Sequence, residues 1–110
     1  FNANGNKTLL RAQAEEIAAG GYSAVCTIGT ACSTTMKELC DKKGSTLPII
    51  FCAVADPVGM GLVSSLEQGG QHITGIYEGN DYSKQISFLS LLKPTCKNLL
   101  LLFEPAPHLE

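Results

Sequence analysis

Four short apolar runs constrain this chain most: 22-YSAVCTIGT-30, 47-LPIIFCAVA-55, 72-HITGIYE-78 and 98-NLLLLFE-104. None shows the apolar–polar alternation of a strand with one wet face, and segments of helical character separate them. A half-solvated antiparallel sheet alternates; a parallel sheet packed between helices does not. The separating segments are too long for hairpins and suit right-handed crossovers. The expected fold class is therefore α/β: a doubly wound, mostly parallel, Rossmann-like sheet flanked by helices on both faces. No internal repeat interrupts this order.

The helical segments carry their own start and stop signals. In 7-KTLLRAQAEEIAAG-20, Leu10, Ala14, Ile17 and Ala18 share one face, Asn4 or Asn6 can cap the start, and Gly20-Gly21 stops it. In 31-ACSTTMKELCDKK-43, Met36, Leu39 and Cys40 point to a core and Gly44 is the stop. After Asp56-Pro57, 58-VGMGLVSSLEQ-68 reads as a weaker helix closed by Gly69-Gly70. The segment 82-YSKQISFLSLLK-93 is amphipathic, with Ile86, Leu89 and Leu92 in register, and ends before Pro94.

Several function classes lose support on composition. A chain of 110 residues suits one compact domain. Its net charge is −2 and Lys42-Lys43 is the only basic pair, so no nucleic-acid footprint is present. No apolar run approaches the roughly 20 residues of a membrane-spanning helix. The cysteines (Cys26, Cys32, Cys40, Cys52, Cys96) contain no CxxC and only two histidines accompany them, which argues against a zinc site. Most are read as unpaired packing residues. No P-loop, GxSxG elbow or GxGxxG is present, and no serine or cysteine has an obvious histidine partner, so neither a cofactor nor catalysis is expected.

In parallel sheets ligands bind outside the carboxyl ends of the strands, which selects three loops: 28–33, 54–59 and 76–82. Gly29 precedes a helix start, whose N–H groups attract carboxylate or phosphate; Thr30 or Ser33 either caps that helix or lends a hydroxyl to a ligand. Asp56 and Pro57 suit N-cap and N1 of the next helix, and Asp56 is equally placed to accept a hydrogen bond from a ligand amine. Tyr77, Glu78, Asn80, Asp81 and Tyr82 form either a wall for a zwitterionic or aromatic molecule or a polar turn in which Asp81 or Ser83 caps a helix. His72 sits at the far end of its strand and reads as structural or solvated.

The runs 25-VCTIGTACSTTM-36, 48-PIIFCAVADPVGMGLVSSLEQGG-70, 73-ITGIYE-78 and 84-KQISFLSLLKPTCKNLLLLFEP-105 together resemble the solute-binding proteins of a bacterial ABC-transporter family. These are exported, periplasmic or lipid-anchored receptors of the type I binding-protein fold, several of which take aromatic amino acids. The resemblance implies two lobes around a cleft: residues 1–75 a partial first lobe, 76–82 a hinge crossing and 83–108 the start of the second lobe. Leu109-Glu110 reads as a tag scar. The loop Gly29-Thr30-Ala31 and the loop Ala55-Asp56-Pro57 would face the cleft, with Tyr77 and Glu78 at the crossing. A small amino-acid-like ligand and ABC permease subunits are the implied partners. Ala55 departs from the usual threonine of the family's V-T-D-P pattern, and Gln68 from the usual proline. A ligand-sensing domain of a transcription regulator, which uses the same fold, is the alternative. The resemblance also implies that the strand near 22–28 has lost a neighbour, so its open edge and the 83–105 arm are expected to drive self-association.

Overall fold

The structure, a computed structural model, describes residues 1–79 and 81–102. The chain divides into two compact units, Phe1–Glu78 and Gly79–Glu110. The first contains α1 (Lys7–Ala19), β1 (Val25–Ile28), α2 (Thr30–Lys43), β2 (Ile49–Val54) and β3 (Ile73–Tyr77); the second contains α3 (Tyr82–Leu92).

The three strands form one parallel sheet in the order β1-β2-β3, with Val25 opposite Ile49 and Ile49 opposite Ile73. The α/β class and the parallel pairing thus follow the sequence pattern. Asn6, of the two candidates, caps α1: its side chain accepts from the Leu9 N–H at 3.0 Å. At the end of α2 the Ser45 N–H reaches the Cys40 carbonyl and the Gly44 N–H that of Asp41, the paired bonds of a Schellman stop.

Residues 58–68, expected as a helix, make a single turn instead. The Leu62 N–H donates to the Pro57 carbonyl at 2.9 Å and the Gly61 N–H to that of Val58 at 2.9 Å. These are again the Schellman bonds, and Gly61 takes φ 71 to close them. The turn stops where the next helical turn would begin, and Leu62 swings into the core beside Met36, Leu39 and Phe51. Gly61→Ala places a Cβ in the left-handed region and is expected to cost about 1–2 kcal/mol, read as a lower urea midpoint with an unchanged m-value.

Cover on both faces of the sheet was expected; within the first unit it is found on one. Thr27, Ile49, Phe51, Val54 and Ile73 are buried under α2 and the 57–70 segment, with Ala14 of α1 joining the same core. On the opposite face Cys26 and Thr74 are exposed, Ile28 is 70% exposed and Ile76 74%. Strands added successively in one direction, by crossovers of one hand, carry every connection over the same side. The apolar residues of the other side are therefore left without a layer within this unit.

In the second unit Asp81 caps α3 by accepting from the Lys84 N–H at 3.0 Å. Ile86 and Leu92 are exposed and Leu89 half-buried, so the apolar stripe read from the sequence packs little within this unit. The expected strand 98–104 is not formed over residues 98–102, and its last two positions lie outside the described residues. A strand exists only through backbone pairing, and among the described residues this segment has no partner strand.

Candidate functional site

Because the strands are parallel, the three carboxyl-end loops emerge from one edge of the sheet. Backbone bonds tie them shoulder to shoulder. The Gly29 N–H donates to the Cys52 carbonyl at 2.9 Å, and the Glu78 N–H to the Val54 carbonyl at 3.2 Å. Gly29-Thr30-Ala31, Ala55-Asp56-Pro57 and Tyr77-Glu78 thereby form one row, with the Asp56 loop in the middle.

The start of α2 differs from both capping alternatives. Its N-cap is Gly29, at φ 92 and ψ 159, and no side chain caps it. That conformation is open essentially to glycine alone. Ser33 does not reach the helix end, because its hydroxyl is fully buried and committed. It donates to the Gly29 carbonyl at 2.7 Å and pairs with the Thr27 hydroxyl at 2.9 Å. The buried Thr27 requires that partner. The first N–H groups of the helix, those of Thr30, Ala31 and Cys32, thus keep their hydrogen-bonding capacity and the positive end of the dipole. Thr30 is half-buried, Ala31 is exposed, and the Thr30 hydroxyl has no partner among the described residues.

Asp56 is exposed and caps the single turn: its Oδ1 accepts from the Gly59 N–H at 2.8 Å, and its carbonyl from the Met60 N–H at 3.0 Å. Oδ2 has no partner among the described residues. Pro57, grouped with the ligand contacts from the sequence, is instead buried beneath the loop. Tyr77 is 43% exposed at the end of β3, and Glu78 is exposed. Of the rest of that loop, Asp81 is used as a helix cap and Asn80 lies outside the described residues. His72 lies at the opposite edge, where its carbonyl accepts from the Ile49 N–H at 2.7 Å.

One feature of the row was not read from the sequence. Between the pairs Phe51–Gly75 and Val54–Tyr77, β2 carries two residues against one on β3, a bulge in which Ala53 adopts φ 54. The extra residue turns the end of β2 and aims Asp56. A glycine at position 53 would have signalled this; alanine does not.

The arrangement sets a helix N-terminus, suited to a carboxylate, beside a carboxylate suited to an ammonium group, with an aromatic ring on the far side. Among the described residues no group of three or more metal-binding side chains gathers, and no helix is long and apolar enough to cross a membrane.

Comparison with known proteins gives a consistent likeness. The family model for ABC transporter substrate binding proteins matches residues 1–108. A tyrosine-binding protein of Clostridioides difficile (strain R20291) is 33% identical over 69 residues, 63% of this chain and 20% of that protein. An ABC domain from Streptococcus pneumoniae, solved in complex with L-Trp, superposes with TM-score 0.76 at 26% identity, over 86% of this chain and 31% of that one. A conserved domain protein from Vibrio cholerae O1 biovar El Tor strain N16961 gives TM-score 0.75 at 27% identity, over 84% and 30%. The chain thus spans less than a third of the length of each of these proteins.

Proposed function

The chain belongs to the ABC transporter substrate-binding protein family, and from that premise we propose that it supplies the first-lobe half of a site for an imported amino-acid-like solute. The observation that carries this reading is the uncapped start of α2 lying in one row with Asp56 and Tyr77. A free amino acid presents a carboxylate and an ammonium a short distance apart. Beyond Gly29, the free N–H groups of Thr30, Ala31 and Cys32 take the carboxylate, with help from the Thr30 hydroxyl. The free Oδ2 of Asp56 takes the ammonium. Tyr77 and Glu78 border the side chain, and Pro57 supports the Asp56 loop from below. The names of two similar proteins, one tyrosine-binding and one solved with L-Trp, support an aromatic amino acid.

Residues 1–75 form part of the first lobe in this reading, 76–82 the crossing and 83–108 the start of the second lobe. Binding proceeds by closure of two lobes, without catalysis or cofactor. The receptor works outside the cytoplasmic membrane and hands its solute to the permease subunits.

In a thermal-shift screen of the two-lobed protein, L-tyrosine and L-tryptophan should raise the melting temperature by mass action. Their amine-lacking analogues should not. Asp56→Asn keeps an oxygen for the Gly59 N–H but loses the charge, and is expected to weaken amino-acid binding about 10- to 100-fold, the value of a hydrogen bond to a charged group. An Asn variant that binds as the parent does reduces Asp56 to a cap and overturns this assignment.

A further inference from the structure

Cys26 and Cys52 stand on the uncovered face of the sheet, one on each of two hydrogen-bonded strands. Cys26 pairs with Ile50 and Ile28 with Cys52, so the two cysteines share a face and are diagonal neighbours. The bulge at Ala53 bends β2 immediately after Cys52. The Cys52 thiol leans across to β1 and donates to the Thr27 carbonyl, the residue after Cys26, at 3.5 Å. Its pKa is raised, first by loss of solvent and then by the neighbouring Cys26 thiol.

The other cysteines are placed differently. Cys40 is buried on α2, on the covered side of the sheet. Cys32 is half-buried on α2, and Cys96 belongs to the second unit.

We propose that Cys26 and Cys52 form a redox-active dithiol that closes to an intramolecular disulfide across β1 and β2. The oxidant is a small disulfide such as oxidised glutathione. The exposed Cys26, as thiolate, attacks one glutathione sulfur, forming a mixed disulfide and releasing one glutathione thiolate. The Cys52 thiolate then attacks the Cys26 sulfur and releases the second. Two S–H bonds are lost with their protons, one S–S bond forms, and the electron pair leaves on two glutathione molecules.

The bond is reversible for a geometric reason. Diagonal neighbours in a sheet have Cα atoms roughly 7–8 Å apart, beyond the roughly 4.4–6.8 Å that disulfides usually span. Closure therefore requires β1 to shift, which it can do because it is an edge strand paired on one side only. A strained bond is more readily reduced than a relaxed structural one. Gly29 and Asp56 follow on the same two strands, so closure also draws together the loops that carry them.

The experiment uses the 110-residue chain, reduced and then equilibrated with oxidised glutathione. Thiols counted after denaturation should fall from five to three, and non-reducing peptide mapping should join the Cys26 and Cys52 peptides. Dithiothreitol should restore the full count. Cys52→Ser removes the resolving thiol and should trap glutathione on Cys26. Retention of five thiols, a stable glutathione adduct on wild-type Cys26, or pairing of Cys26 with any other cysteine or chain overturns the proposal.

Discussion

Phe51→Ala is expected to remove most of the stability of the first unit. Phe51 is 3% exposed on the central strand and belongs to the core formed with Met36, Leu62 and Ile73. Truncating a buried phenylalanine costs about 3–5 kcal/mol in lost transfer energy and residual cavity. A chain of this size has on the order of 5–15 kcal/mol in total. This one also leaves one sheet face uncovered, which places it toward the lower end. The melting temperature should fall by upward of about 10 °C. Ile50→Ala provides the control, because Ile50 is the adjacent residue of the same strand and points to the open face at 47% exposure. It should cost under about 1 kcal/mol. Equal losses in the two variants would mean that the covered face has been assigned wrongly.

Gly75→Ala should be nearly as damaging, for a different reason. Gly75 pairs with Phe51 across β2 and β3, and a Cβ built on it would fall on the Phe51 carbonyl oxygen and press on its ring. A ring can turn aside, but a carbonyl in the middle of a sheet cannot move without moving its strand. Overpacking of this kind costs typically about 1–3 kcal/mol, and more where backbone must give. Chemical denaturation should show the loss, while Thr74→Ala next to it, exposed on the other face, should be close to neutral. Since the clash involves the backbone at Phe51, the Phe51→Ala background relieves only the part due to the ring. The two costs should therefore fail to add.

Most of the architecture was legible because it depends on local signals. The runs at 25–28, 49–54 and 73–77 lack polar alternation and became parallel strands. Met36, Leu39 and Cys40 share a helix face and are buried, and Gly44 stops α2 as read. Asp56 next to Pro57 was read as the cap of a helix, and the cap is made, on a single turn. The failures are equally instructive. Residues 58–68 contain enough apolar and helix-tolerant residues to suggest a helix. Gly61 instead takes the left-handed conformation after one turn, where Leu62 gains a place in the core. Thr30 and Ser33 were each reasonable caps for α2. Ser33 is drawn inward by the buried Thr27 hydroxyl, a partner on another element that spacing along the chain does not reveal.

The sequence by itself determined three helices and three strands, at α1, β1, α2, β2, β3 and α3, their order, the parallel pairing, and the resemblance that points to a solute-binding family. Propensity, capping and periodicity act over a few residues, so those features are written locally. Only the tertiary structure decided that both crossovers cover one face, that β2 bulges at Ala53, and that the open end of α2, Asp56 and Tyr77 stand in one row. These depend on the hand of the connections and on backbone pairing between residues more than twenty positions apart. The same pairing brings Cys26 beside Cys52, a proximity that their separation along the chain conceals.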